Sequence, residues 1–229
     1  HFAPLFRHVI VENDAILGAI GEGRCGEGQG VSSYVTFLLR EGIGAGFMVD
    51  GRPIRGFHGA AGELWMLGLI RGVGVRGIEL MIAQCAIGNY DMNVIDSERG
   101  LTLAAASAGV ADASEVVADA NEGVDRVTPQ GSALTGLHYS EITAERVIAA
   151  AEAGDEFAEQ VLEDTASHLA GICEAVGGML DVERLIFSGT SLPIAGIVRR
   201  TSELVAAEWH PDFSAPPAVL SSLGDDVVV

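Results

Sequence analysis

No lysine occurs in this chain. Its 13 basic residues are all arginine, set against 32 carboxylates, and the formal charge is −19 over 229 residues. Such a field repels phosphate backbones, so the segment is a poor nucleic-acid binder by itself, and any DNA-reading part is expected upstream of it. Long apolar runs are missing too. Gly, Arg or Glu interrupts every stretch well before the about 18 apolar residues that a membrane span needs, so no membrane partner is expected. The opening HFAPLFRHVIVEND lacks the basic flank, apolar centre and cleavage site of a signal peptide, and it has no initiator Met. The chain is therefore expected to begin inside a longer protein and to work in the cytoplasm. Cysteine is scarce: Cys25, Cys85 and Cys173 are odd in number and far apart, which suits reduced, buried thiols better than a disulfide framework.

What is present is ample apolar material, 48% of the residues, enough for the core of one large or two small domains. The stretch from Thr36 to Glu63, TFLLREGIGAGFMVDGRPIRGFHGAAGE, organises the rest. An apolar run from Tyr34 to Leu39 meets glycines at Gly42, Gly44 and Gly46, and a second apolar run covers Phe47 to Val49. Asp50-Gly51 supplies the positive backbone angles of a tight hairpin, and Pro53 confines the return strand to an edge. A loop of small residues, Gly56 to Glu63, ends by presenting the Glu63 carboxylate.

Upstream, Arg7 to Glu12 alternates as a short strand that delivers Asn13 and Asp14 to the head of a helix over Ala15 to Glu22. An Asp at that point caps helices in many proteins. Gly23 to Gly30 is expected to be a loop. Downstream, a helix is expected over Ile78 to Gln84, a loop at Gly88 to Asp91, and short helices at Leu101 to Ala108 and Ala113 to Ala120, with His138 exposed in a loop. Thr143 caps a helix from Ala144 to Ala153, and Gly154-Asp155 ends it and opens the next. There Phe157, Val161, Leu162, Thr165, Leu169, Ile172, Val176 and Met179 recur at steps of three and four, a continuous apolar stripe. His168 beside the stripe reads as structural. Arg184 to Ser188 is a buried strand feeding Gly189, Pro193 opens a helix to Glu208, and Ala218 to Leu223 is a last strand.

The run GIGAG…DGRPIRGFHGAAGE, with Val11-Glu12-Asn13-Asp14-Ala15 before it and Leu180-Asp181-Val182-Glu183-Arg184-Leu185-Ile186-Phe187-Ser188-Gly189 after it, resembles the ROK family, named for repressors, open reading frames and sugar kinases. The resemblance implies an α/β fold of the sugar-kinase, Hsp70 and actin type, ribonuclease H-like, with a mixed sheet flanked by helices. Residues 1–229 would then be most of the second lobe. The first lobe and any helix-turn-helix would lie outside the chain, since no Asp-x-Gly-x-Thr motif occurs here, and the chain stops where the family's closing helix usually begins.

The same resemblance implies the candidate site. In the family's kinases the residue matching Asp14 is the base that takes the proton from the attacking sugar hydroxyl, a task for a carboxylate within hydrogen-bond reach. Asn13, Glu63 and Glu79 are implied sugar contacts, beside the alternatives of helix capping for Asp14 and ordinary surface carboxylates for the two glutamates. Gly42, Gly44 and Gly189 are implied nucleotide-side positions, Gly189 being a partial match to a Gly-Gly turn.

Two departures from the family's pattern shape the functional expectation. Arg40-Glu41 stand where small or hydroxyl residues are usual. A Glu41 carboxylate about 4 Å from a phosphate oxygen would cost about 4 kcal/mol at an effective dielectric of about 20, unless it turns outward, pairs with Arg40 or meets a metal. Further on, Met66, Ile70, Gly72 and Gly77 occupy the His and three Cys positions of the family's structural zinc site, so zinc is not expected and no metal ligand is assigned. Apolar packing by Trp65, Met66, Leu67, Leu69 and Ile70 would replace it. The expectation is a sugar-binding effector lobe of a ROK transcriptional regulator without phosphotransfer or a cofactor. The alternative is an ATP-dependent hexose kinase, with ATP and Mg bound. A homo-oligomer is expected in either case, with a small sugar as ligand.

Overall fold

In the computed structural model, residues 12–40, 43–64, 81–82, 85–86, 131–135, 137 and 141–228 are described. The sequence readings at 7–11, Glu41, Gly42, 65–80 (with Glu79 and the zinc-equivalent positions), 88–120 and His138 lie outside these residues.

Helix α1 (Asp14–Cys25) precedes three strands, β1 (Tyr34–Leu39), β2 (Ile43–Val49) and β3 (Arg52–Ile54). Then come α2 (Ala144–Glu152), α3 (Glu156–Leu180), β4 (Arg184–Ser188), α4 (Ala195–Glu208), β5 (Ala218–Leu220) and a 3₁₀ turn at Gly224–Val228. The strands form one mixed sheet in the order β3-β2-β1-β4-β5. β1 runs antiparallel to β2 and parallel to β4, which in turn runs parallel to β5.

Every residue of β1 is buried, as a central strand covered on both faces must be. Its side chains alternate between two cores. Val35, Phe37 and Leu39 point, with Leu185 and Phe187 of β4, into the main core with Leu169, Ile172 and Val176 of α3 and Ile197, Val198 and Val205 of α4. Tyr34 joins Met48, Ile186 and Ala19 of α1 on the other face, and Leu38 joins Ala15 and Val227. Phe37 and Phe187, register partners, stack with ring centroids 5.0 Å apart, a contact that adds about 0.5–1.5 kcal/mol beyond its buried area. The mixed α/β sheet flanked by helices is the architecture the motifs implied.

Local chemistry explains the boundaries. Asp50 and Gly51 have φ of 49° and 71°, the two positive angles of a tight hairpin. β3, with Pro53, is the sheet's edge. The Thr143 side chain caps α2 through the Arg146 N–H, and Asp155 caps α3 through the N–H groups of Phe157 and Ala158. Asp155 also accepts bonds from the Ser132 hydroxyl and the Ala133 N–H, tying 131–135 to the start of α3. The expected stripe of α3 is buried at Val161, Thr165, Leu169, Ile172 and Val176, but Met179 is 69% exposed at the last turn. His168 is half-buried and contacts the Asp164 carbonyl through Nδ1 at 2.7 Å.

Four sequence readings need correction. α1 continues to Cys25 rather than ending at Glu22, so the first three residues of the expected Gly23–Gly30 loop are helical. Its continuation is stabilised where Glu22 becomes a buried anchor for the following turn. Cys25 is exposed, unlike Cys85 and Cys173, because it lies on the outward side of that last turn. Gly44 and Gly46 lie inside β2 rather than in a loop before it, since both are needed beneath α1. β5 ends at Leu220, where Ser221 turns to bond Glu22.

Candidate functional site

The site begins with how α1 is seated. A Cβ on Gly46 would lie 2.1 Å from the Ala15 carbonyl oxygen, so only glycine lets the first turn of α1 rest on β2. Gly44 lies under the same turn, where a Cβ would meet Ala15 Cβ at 3.3 Å. Gly44 pairs with Leu38 in β1, and Leu38 packs against Ala15. The head of α1 is thereby held at the carboxyl end of β1, the edge at which ligands of open α/β sheets bind.

Asn13 is the N-cap. Its Oδ1 accepts the Ala15 N–H at 2.9 Å and the Ile16 N–H at 3.2 Å. This leaves the amide with only its Nδ2 group to offer a ligand, so Asn13 can donate to a hydroxyl but not accept from one. Asp14 follows as the first helical residue; its Oδ1 also takes the Ala15 N–H, at 2.9 Å, and the side chain is exposed. Of the two readings for Asp14, the cap role thus belongs to Asn13. Asp14 presents a carboxylate to solvent at the positive end of the helix dipole, where negative charge is favoured.

Glu63 arrives from the other side. The loop after β3 folds back so that the Ala45 N–H donates to the Gly62 carbonyl at 2.9 Å. Gly62 has φ of +94°, and a Cβ there would lie 1.7 Å from the Ala45 carbonyl oxygen, so no other residue fits. The next residue, Glu63, is half-buried, and its Oε1 lies 3.5 Å from Asn13 Nδ2. Residues 50 positions apart in sequence thereby place two carboxylates and an amide donor together, a set suited to a polyol whose hydroxyls both donate and accept.

Gly189 stands at the same edge of the sheet. It follows β4 with φ of +81°, and a Cβ would be 2.6 Å from Leu38 Cδ1 and 3.5 Å from Arg40 Cγ. The turn after β4 therefore lies beside the start of the turn after β1. Ser188 before it is buried, and its hydroxyl donates to Glu22 Oε1 at 3.1 Å, so it does not face a ligand.

Two groups of residues were not legible as site-building from the sequence. Glu22 is fully buried. Its Oε1 also accepts the Ser221 hydroxyl, and its Oε2 accepts the Glu27 N–H at 2.9 Å. One carboxylate thus joins α1 to the ends of β4 and β5. Burial, with the charge of Glu22 second, pushes the neighbouring Tyr34 phenol up to about 12, and its hydroxyl donates to the Ala19 carbonyl at 2.7 Å. The second group is Glu12 and Arg55, whose side chains meet at 2.5 Å. The Arg55 guanidinium beside Glu12 holds its carboxyl below the usual range. Nothing in spacing or periodicity signals either group, since each joins residues that the fold alone brings together.

Met66, Ile70, Gly72 and Gly77 have no donor atoms for zinc, so the family's zinc site does not fit this chain. Among the described residues no group of three or more His, Cys, Asp or Glu could hold a metal ion. For a nucleotide the fit is partial: Gly189 keeps the small residue of its turn, but Ser188 is committed to Glu22, and Arg40 beside Gly189 is followed in the sequence by Glu41.

The architecture is that of the sugar-kinase and actin-like ATPase fold, a mixed α/β sheet flanked by helices. The ROK family model matches residues 4–227, and the chain belongs to the ROK family. It is 29% identical over 181 residues to a glucokinase of Halalkalibacterium halodurans, covering 79% of this chain and 48% of that protein. It is 33% identical over 122 residues to a xylose repressor of Caldicellulosiruptor bescii, covering 53% and 28%. Among solved structures, a ROK family glucokinase from Streptomyces griseus, in complex with glucose and AMPPNP, superposes with a TM-score of 0.57 at 21% identity, covering 96% of this chain and 65% of that one. Four of the eight matched curated relatives are named as glucokinases or an N-acetyl-D-glucosamine kinase. The chain spans about half the length of the glucokinase and about a third or less of several others.

Proposed function

We propose that this chain is the sugar-binding part of a ROK protein, recognising a carbohydrate at Asn13, Asp14 and Glu63, as most of that protein's second lobe. The observation that supports the reading best is the 3.5 Å approach of Asn13 Nδ2 to Glu63 Oε1 beside the exposed Asp14 carboxylate. Carboxylates accept from sugar hydroxyls and the Asn13 amide donates to one. Glu79 is a further proposed contact, from its place in the motif alone.

We infer that the site senses sugar as the effector lobe of a transcriptional regulator, with the DNA-binding part upstream and the lobe self-associating. The reason is the asymmetry of the two sides. Asn13, Asp14 and Glu63 are kept on the sugar side, although Met66 stands where the family has a sugar-touching His, while the sequence after Arg40 brings Glu41 and Ser188 is committed to Glu22. Lobe closure around a sugar would then change the spacing of DNA-reading heads in a dimer.

The kinase reading is kept because half of the matched curated relatives are named as sugar kinases and because Asp14 is exposed where a general base would stand. In that reading Asp14 takes the proton of the reacting hydroxyl, Asn13 and Glu63 orient the sugar, and Gly189, with Gly42 by its place in the motif, lines the nucleotide side, while Gly44 lies beneath α1 instead. The test is titration of the intact protein with ATP-magnesium, with and without sugar. Sugar binding without nucleotide binding supports the sensor. Sugar-dependent ADP release overturns it in favour of the kinase.

A further inference from the structure

We propose that Glu12 and Arg55 are a positioning pair that holds the Glu63 loop against the head of α1 and so keeps the two halves of the site at working distance. The inference rests on the carbohydrate reading above and concerns residues that touch no ligand in it.

Arg55 follows β3 directly and is the first residue of the loop that ends at Glu63. Its Nε donates to Glu12 Oε2 at 2.5 Å, and the other Glu12 oxygen accepts the Asn13 N–H at 3.2 Å. One carboxylate thus binds the loop with one oxygen and the N-cap residue with the other. The Arg55 carbonyl accepts the Ala61 N–H at 3.1 Å, which closes residues 55–61 into a ring, and Gly62 anchors the far end to Ala45. Of these three ties, only the Glu12–Arg55 bond reaches the head of α1. The Asn13–Glu63 contact, at 3.5 Å, is at the long limit of a hydrogen bond, and the charged Glu12–Arg55 bond supports it from the other end of the loop.

Charge points the same way. Glu12, Asp14 and Glu63 bring three carboxylates to one end of α1, and the guanidinium offsets their mutual repulsion where the loop must approach. The Glu12 side chain is 13% exposed and the Arg55 side chain 51%, so the pair lies at the rim of the site with its acceptor end sheltered. Its Coulomb part weakens with salt. Arg55 therefore acts on ligand affinity through Glu63 and Asn13, not by contact.

The experiment compares the intact protein with Arg55→Met, Glu12→Gln, the double variant and Arg55→Lys, using two readouts. Amide hydrogen exchange over residues 55–63 is measured without ligand, and sugar affinity is measured by calorimetry with a panel of neutral hexoses, pentoses and N-acetyl amino sugars. The pair predicts exchange about tenfold faster in both single variants and affinity about tenfold weaker. It also predicts a double variant no worse than either single, because the two residues act as one unit, and partial recovery in Arg55→Lys. Unchanged exchange in the single variants overturns the pair as a tie. Faster exchange with wild-type affinity, or losses that add in the double variant, overturns its positioning role. If the wild-type protein binds none of the sugars, the carbohydrate reading fails and the positioning role fails with it, while the exchange readout still decides whether the tie exists.

Discussion

Asn13, the cap of α1, and Glu63, the last residue of the loop after β3, meet with Nδ2 and Oε1 3.5 Å apart. Because Oδ1 of Asn13 is spent on the Ala15 and Ile16 N–H groups, its amide can only donate outward. The helix start thus fixes both where this residue sits and which half of a hydroxyl it can recognise.

Replacing Glu63 by Gln, or Asp14 by Asn, removes a charged acceptor without changing size. A hydrogen bond to a charged group contributes about 1.5–3 kcal/mol. Each variant is expected to weaken sugar binding by roughly ten- to hundredfold while the melting temperature stays close to wild type. In a regulator, Asp14→Asn shifts the dose response to higher sugar concentrations; an unchanged response rules out its contact with sugar.

Glu22→Leu is expected to be among the most damaging single changes among the described residues. It leaves the Ser188 and Ser221 hydroxyls and the Glu27 N–H without their buried acceptor. Buried groups left unsatisfied cost about 1–3 kcal/mol each, so a loss of about 3 kcal/mol or more is expected in denaturant unfolding. Glu22→Gln, which keeps an acceptor oxygen, is expected to lose less. Equal losses in the two variants would show that packing, not hydrogen bonding, dominates there.

Gly46→Ala places a methyl 2.1 Å from the Ala15 carbonyl oxygen, and backbone must move to admit it. Overpacking of this kind costs about 1–3 kcal/mol. Because the displaced turn carries Asn13 and Asp14, stability and sugar affinity should fall together. A variant with wild-type unfolding would mean α1 sits further from β2 than described.

Glu163 of α3 takes Arg200 of α4 in a two-pronged pair, with N–O distances from 2.6 to 2.9 Å. The guanidinium holds its carboxyl below the ordinary 4.5. A carboxylate whose pKa is depressed on folding contributes stability above its unfolded value, and that contribution is lost as pH falls through the folded one. Glu183, depressed by the N–H groups of Ser32 and Ser33, acts in the same direction. Melting temperature should therefore decline below about pH 4.5, and less steeply in Glu163→Gln than in wild type. Parallel declines would exclude the pair as a source of acid sensitivity.

Much of the fold was readable because local signals and tertiary needs agreed. The strands at Tyr34–Leu39 and Arg184–Ser188, the Asp50-Gly51 turn and the caps Thr143 and Asp155 all lie where side-chain period and turn chemistry place them. Reading failed where long-range contact overrode local preference. Gly44 and Gly46 look like loop residues in sequence, yet they are strand residues thinned to admit α1. The Gly23-to-Cys25 segment looks like a breaker, yet it stays helical ahead of the turn anchored by Glu22. For the candidate site, the motif pointed to Asn13, Asp14 and Glu63, and the fold brings Asn13 Nδ2 to 3.5 Å from Glu63 Oε1. The Glu12–Arg55 and Glu22–Ser188 ties join distant residues and leave no periodic trace.

Calorimetric titration of the intact protein with the sugar panel, run on wild type and on an Asp14→Asn/Glu63→Gln double variant, tests the central claim most directly. The account predicts saturable binding of at least one neutral sugar by wild type and loss of at least a hundredfold in affinity in the folded double variant. Binding of equal strength in both proteins, or no binding of any sugar by wild type, would contradict it.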